Sequence, residues 1–509
     1  MFFPDLQRTA GSCHYEPLER VIEYDVVLHG GRVIEPETGR DDLRNVGIAA
    51  GKIAAVTTEP LTGRTTVDAT GLLVCPGFID LHSHGQAIPE QRLQALDGVT
   101  TALELEAGVL GVDRAYRRAA QEGRPIHYGF STSWAASRMA ELIEDVDLSH
   151  ADAVMAQIGN PAWQRPASAI EVCRILERLS RDLAEGALGI GILVGYAPLV
   201  DPDEFVATAR LAAIRGVPTY THARELIEFN PDTPIDGAGE IVRAAHETGA
   251  HMHWCHVNST SQIHVDRALG LLEEAQAAGA HITSEAYPYG AGMTGMGAAF
   301  LAPENLKRWG LRPSSITYAV TGERVADARR LQQLRADDPG GLALVEFLDE
   351  GDPVHRSYLD RAMAFPNTAV ASDAVPLRWS GGRPDPHAWP LPDGGIGHPR
   401  GAGTFARSWR TMVRESGRWT PLEASRRCSL IPAQVLEQSV TSMRRKGRLL
   451  TGCDADIVVL DLETISDQAT YTDSTRPSTG VRHVLVDGNF VVRDGAIVPD
   501  ALPGRAVRA

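Results

Sequence analysis

His82 and His84 close the apolar run that spans residues 74–81. Side chains alternate faces along a strand, so two imidazoles one residue apart point the same way and can grip one metal ion. Three further candidates end apolar runs: His222 after residues 217–221, His256 after residues 252–255, and Asp373 after residues 368–372. A lone histidine at a strand end is most often a structural polar residue. Five such groups in this order fit a metal site at the mouth of a barrel, where the ends of several parallel strands converge. A divalent ion held there lowers the pKa of its water to about 7 and polarises a carbonyl. The chemistry on offer is metal-assisted hydrolysis. Asp373 is placed to take a proton from water and return it to a leaving group. The oxyanion formed by attack needs a donor besides the metal, and Tyr287 or Tyr289 could supply it.

Such a site needs a scaffold that delivers strand ends to one rim. From residue 76 to about 432, apolar runs alternate with helical stretches. Helices are expected at residues 112–122, 170–185, 202–215 and 262–278. Another runs to residue 248, with Asp236 as its N-cap. Strands are expected at 98–103, 186–193, 217–222, 250–257 and 280–286. This alternation predicts a parallel sheet with enough units to close a (β/α)8 TIM-type barrel. An open, doubly wound sheet is the alternative, although no GxGxxG follows the first strand. Residues 22–74 read as short strands joined by glycine turns, and strands return at 447–461 and 481–492. Both termini are therefore expected to build one small β-sandwich domain, residues 1–75 and 436–509, beside a barrel of residues 76–435. Two stretches break the alternation. Residues 300–355 are charged and helical, an insertion or lid. Residues 378–397 form a loop rich in Pro, Gly and Trp.

With 49 basic and 65 acidic residues the formal charge is −16, which argues against a nucleic-acid partner. No stretch is apolar for long enough to span a bilayer. Residues 1–15 lack the basic and apolar parts of a signal peptide. The six cysteines are scattered, Cys13 first, with no CxxC pair. A cytoplasmic protein with reduced thiols is expected. Its partner would be a small molecule, and a homo-oligomer is left open.

The segment Pro-Gly-Phe-Ile-Asp-Leu-His-Ser-His at residues 76–84 resembles the first-strand signature of the amidohydrolase superfamily. Together with Gly98-Val99-Thr100-Thr101, Thr221-His222, Cys255-His256, Tyr287-Pro288-Tyr289-Gly290, Ser372-Asp373 and His398-Pro399-Arg400, the chain resembles the N-acyl-D-amino-acid deacylase (D-aminoacylase) branch. The resemblance implies a hydrolase that cleaves the C–N amide bond of an N-acyl amino acid or related small amide. It implies one or two divalent ions, zinc first. His82, His84 and Asp373 would flank one position, and His222 and His256 the other. Between them the deacylases place a cysteine, where this sequence has residues 102–108 and no cysteine. Other amidohydrolases bridge with a carboxylated lysine, but no lysine lies between Lys52 and Lys307. Glu104 and Glu106 share a face, and Glu106 lies nearer the strand's C-terminal end, so Glu106 is the expected bridging ligand and Glu104 the second choice. Arg400 matches the arginine that grips the substrate carboxylate. Asn258 stands where the family tends to carry a lysine, and Tyr287 and Tyr289 complete the expected substrate contacts. His251 and His253 lie off the face of His256 and read as structural. Cys255 shares their parity and reads as an inert thiol. Two alternatives stay open: a superfamily deaminase acting on a ring amidine, using His222 and Glu225 as a His-x-x-Glu pair, and a non-catalytic amidohydrolase-like protein.

Overall fold

A computed structural model describes residues 23–509. The readings of residues 1–15 and of Cys13 lie outside the described residues. Eight short strands form the central sheet: β1 (Phe78–Asp80), β2 (Val99–Val109), β3 (His127–Ser133), β4 (Ile190–Ile192), β5 (Thr219–Thr221), β6 (Met252–Trp254), β7 (Ile282–Ala286) and β8 (Thr368–Val370). Neighbours pair in sequence order and every ladder is parallel, as the alternation of runs predicts. Helices begin at caps that are legible in the chain. The Asp236 carboxylate accepts the Gly239 N–H at 2.9 Å, and Ser168 with Glu171 forms a capping box that opens Ala169–Ala184.

No ladder joins β8 to β1. The barrel closes through the buried Asp80 instead. Its carboxylate accepts the Ser372 N–H at 3.0 Å and the Ser372 hydroxyl at 2.5 Å, and Ser83 bridges Ala374 just beyond. Burial pushes the Asp80 carboxyl up to about 6, against the hydrogen bonds from Ser372 and His82. A carboxylate inside the first strand thus serves the seam.

Strands from both chain ends make one nine-stranded sheet beside the barrel. Leu73–Pro76 pairs antiparallel with Ile457–Leu460, which joins the N-terminal strands to the C-terminal ones. This sheet encloses its own core, with Val26, Leu28, Val46, Ile53, Ile457 and Leu485 all buried. The Asp456 carboxylate fastens it to the barrel. It meets His127 of β3 at 3.1 Å, the Lys446 ammonium at 2.6 Å and the Asp487 N–H at 2.9 Å. His127, Asp456 and Asp487 are grouped closely enough to hold a metal, but the Lys446 ammonium already supplies the cation there.

The stretch at 300–355, expected to be helical, is built mainly around a sheet. Ala291–Gly295, Leu342–Glu346, Ile316–Tyr318 and Glu323–Arg324 form an antiparallel sheet covered by the helix Ala328–Asp337. The two short central strands are too brief to show a period-two pattern, whereas the helix between them dominates the local periodicity. Residues 378–397 run irregularly, and Trp379 and Trp389 pack towards Leu93 and Leu377. Among the described residues no helix is long and apolar enough to cross a membrane.

Candidate metal centre

His82 and His84 follow β1, with their Nε2 atoms 3.1 Å apart. Asp373 Oδ1 stands 3.4 Å from each. Glu106 Oε2 lies 3.2 Å from His82 Nε2 and 3.7 Å from His84 Nε2. Ligands about 2.05 Å from a tetrahedral zinc ion stand about 3.4 Å from one another. The other Glu106 oxygen, Oε1, faces His256 Nε2 at 2.6 Å and His222 Nδ1 at 3.0 Å. The structure thus gathers all six expected ligands at the C-terminal rim, with the two Glu106 oxygens turned to different histidine pairs. Glu104 is not between them; it meets His84 Nδ1 at 2.9 Å from behind.

Two glycines make this approach possible. A Cβ at Gly191 would lie 2.2 Å from the Glu106 carbonyl oxygen, and one at Gly195 would lie 2.5 Å from the His222 ring. The backbones of His256 (φ +34°) and Asp373 (φ +51°) adopt left-handed conformations, which non-glycine residues hold at a cost when the surroundings impose them.

The imidazoles are held from behind. His82 Nδ1 meets Glu285 Oε1 at 2.6 Å, and Glu285 Oε2 meets His253 Nε2 at 3.1 Å. His256 Nδ1 meets the Ser259 hydroxyl at 3.0 Å. A carboxylate that takes the Nδ1 proton leaves the Nε2 lone pair facing inward, the arrangement of carboxylate–histidine–metal triads. Sequence reasoning missed Glu285 and the part His253 plays in holding it. The signal was a lone glutamate at an inward position of an apolar strand, the same cue used for Glu106.

Electrostatics agree with a cation at the centre. Four carboxylates, Glu104, Glu106, Glu285 and Asp373, converge where Arg400 is the one guanidinium in contact among the described residues. Burial opposes charge on His82, yet Glu106, Asp373 and Glu285 hold it well above the ordinary imidazole value. The same competition, with Glu104 and Asp373, lifts His84 to about 10. Burial would raise the Glu106 carboxyl, but His82, His256 and His222 hold it well below the usual range. The carboxylates thus favour positive charge at His82 and His84, while burial outweighs Glu106 at His222 and holds that imidazole below its ordinary value; the imidazole and carboxylate donors suit zinc.

Arg400 is buried, with its Nη2 2.9 Å from Asp373 Oδ2, while its Nε and Nη1 have no partner among the described residues. Its guanidinium lies over the Tyr287 ring at 4.8 Å, and that ring is 6.2 Å from the His256 imidazole. Burial pushes the Tyr287 hydroxyl up to about 12. Asn258 is buried too; its Oδ1 accepts the Tyr287 N–H at 3.3 Å, and its Nδ2 has no partner among the described residues. Tyr289 is not brought to the centre. The strand ends at Ala286, and past Pro288 the Tyr289 ring lies under Arg407 at 4.2 Å and edge-on to His398 at 5.4 Å. Glu225 also turns away, accepting the Trp309 indole N–H at 3.0 Å, so no His-x-x-Glu pair forms with His222. Cys255 is buried behind His82, and burial pushes its thiol well above the ordinary value.

The amidohydrolase family model matches residues 65–167 and 236–492. An N-acyl-D-glutamate deacylase of Alcaligenes xylosoxydans xylosoxydans is 27% identical over 95% of this chain and 96% of its own length. A D-aminoacylase of the same organism is 26% identical over 93% of this chain and 95% of its own. Among solved structures, a D-aminoacylase superposes with a TM-score of 0.74 at 21% identity, covering 96% of this chain and all of that one. An N-acyl-D-glutamate deacylase from Bordetella bronchiseptica, complexed with zinc and a phosphonate mimic of the reaction's tetrahedral intermediate, gives 0.73 at 22% identity over the same shares.

Proposed function

This chain belongs to the amidohydrolase family, and from that membership we propose that it is a metal-dependent hydrolase cleaving the C–N amide bond of an N-acyl amino acid or related small amide. The observation that carries the reading is the spacing of the donor atoms: four imidazoles and two carboxylates stand close enough to share one or two ions. The deacylases among the curated relatives support the substrate class.

His82, His84, Asp373 and Glu106 Oε2 would hold one divalent ion, and His222, His256 and Glu106 Oε1 a second. Zinc is the ion we assign. It supplies Lewis acidity and a water acidic enough to ionise near neutral pH. Asp373 remains ionised because Arg400 and His82 outweigh its burial, so it can accept a proton and later deliver it to the leaving amine. Arg400, whose Nε and Nη1 have no partner among the described residues, would donate hydrogen bonds to the substrate carboxylate. Asn258 would offer its spare amide N–H to the substrate, and Tyr287 a hydroxyl to the developing oxyanion. Tyr289, under Arg407, instead packs edge-on to His398, whose ring accepts the Arg400 N–H. The reading extends to a cytoplasmic enzyme with reduced thiols; the five cysteines among the described residues are all unpaired.

The test combines metal analysis of the purified protein with assays on N-acyl-D- and N-acyl-L-amino acids. Wild type should carry one or two zinc equivalents and release free amino acid. Glu106→Ala should lose metal and activity together. Full metal content and activity in that variant would remove Glu106 from the centre, and a wild type without metal would remove the hydrolase reading.

A further inference from the structure

The helix Ile88–Leu96 is buried along its whole length, although it carries Glu90, Gln91, Arg92 and Gln94. Two of these, Glu90 and Gln94, line a small cavity together with His398, Ala374, Leu377 and Gly401. Glu90, Gln94 and His398 are 4%, 2% and 2% exposed, and each has one polar atom without a partner among the described residues: Glu90 Oε2, Gln94 Oε1 and His398 Nε2.

The bonds these side chains do make fix what the remaining atoms offer. Gln94 Nε2 donates to the Ser83 hydroxyl at 2.7 Å and to the Gly85 carbonyl at 3.1 Å, so Oε1 is the free acceptor. Glu90 Oε1 accepts the Leu377 N–H at 2.9 Å, leaving Oε2. His398 Nδ1 accepts the Arg400 N–H at 3.1 Å, so the neutral ring carries its hydrogen on Nε2. One donor and two acceptors are the complement of a water molecule, which donates two hydrogen bonds and accepts the third. The cavity, about 10 Å³ for the centre of a water-sized sphere, has room for about one.

We propose that Glu90, Gln94 and His398 share a single buried water, and that through it they are positioning residues for the metal centre. Each anchors a different segment of the site. Gln94 holds Ser83 and Gly85 around His84, Glu90 holds Leu377 after Asp373, and His398 holds the backbone of Arg400. The water joins these three segments at a point that none of them reaches alone. The effect on metal and substrate rests on the function proposed above; the water itself does not.

The test has two arms. A crystal structure of wild type that shows ordered solvent should contain one peak about 3 Å from each of the three atoms. Direct pairing among these side chains, or an empty cavity, overturns the proposal. The second arm measures zinc dissociation constants, and KM against kcat where substrate is turned over. His398→Asn keeps an acceptor for the Arg400 N–H but loses the donor into the cavity. Glu90→Met removes the acceptor, whereas Glu90→Gln leaves a polar atom for the water to meet. His398→Asn and Glu90→Met should weaken zinc binding about tenfold, the usual scale for groups that hold ligands in place. They should also raise KM more than they lower kcat, and Glu90→Gln should stay within about twofold of wild type. Equal damage from Glu90→Gln and Glu90→Met, or no damage from any, overturns the proposal. If the Met variant does not fold, the solvent peak decides. If wild type binds no zinc, the proposed function fails while the peak still tests the water.

Discussion

Asp373 divides its carboxylate between two partners: Oδ2 meets Arg400 Nη2 at 2.9 Å, while Oδ1 faces the two histidines that follow β1. The group proposed to carry the proton and the group proposed to grip the substrate therefore touch. A substrate carboxylate bound at Arg400 would offset the guanidinium's pull on Asp373 and so make Asp373 a stronger base.

Arg400→Met should consequently cost more than substrate affinity. Truncating one side of a buried, hydrogen-bonded charge pair costs about 2–5 kcal/mol, roughly a 30- to 5,000-fold loss in kcat/KM. Steady-state assays on matched amides with and without a carboxylate test this. The loss should be larger for the acid, and an equal loss on both would mean that Arg400 does not contact that carboxylate.

Glu285 is the outer support of His82 and should matter to metal rather than to substrate. Glu285→Gln keeps the shape but offers His82 Nδ1 and His253 Nε2 one amide oxygen in place of a carboxylate. Metal affinity should fall about 10- to 100-fold, read by competition with a chelating dye. Unchanged affinity would show that His82 keeps its orientation without help.

Removing metal should lower stability as well as activity, because an ion that binds the folded chain and not the unfolded one adds its binding free energy to folding. An ion present at 100 times its Kd adds about 2.7 kcal/mol to the folded state. Thermal unfolding before and after chelation, and again after adding zinc back, measures the shift. Identical midpoints would contradict a preformed site.

Acid should loosen the junction between sheet and barrel. Burial would raise the Asp456 carboxyl, but Lys446 and His127 hold it well below the ordinary 3.8. A carboxylate depressed in the folded state adds stability above its unfolded value, and that stability drains as pH falls from about 4 towards the folded value. Asp456→Asn should be less stable than wild type at pH 7 by about 3–5 kcal/mol, the cost of breaking a buried pair, and less sensitive to acid. Denaturant unfolding between pH 7 and pH 3 checks both. Parallel curves would show that Asp456 does not carry the acid sensitivity.

Much of this was legible in the chain because two periodicities write themselves into it. Alternating strand and helix runs announce a barrel, and ligands at strand ends follow from where strands stop. Parity puts Glu104 and Glu106 on one face, and only position along the strand prefers Glu106. Other features depend on contacts between strands that no single run records. Glu285 reaches His82 across the barrel from β7 to β1, and His253 supports it from the face that parity had set aside. Tyr287 and Tyr289 come from one motif and either could serve the oxyanion, but both follow the end of β7 at Ala286, where strand alternation no longer fixes which ring faces the centre. The antiparallel sheet at 291–346 pairs short strands whose partners lie up to 55 residues apart, as Ala291 and Glu346 do, a distance over which local pattern is silent.

The joint between β8 and β1 is held by Asp80 and Ser372 in place of a backbone ladder, and the proposed zinc ligands sit on both of its lips, His82 and His84 on one and Asp373 on the other. A cation gripped from both sides is a rivet across the weakest stave. Emptied of metal, the barrel should breathe first along that line, and amide hydrogens of β1 and β8 should exchange with solvent before those of β5.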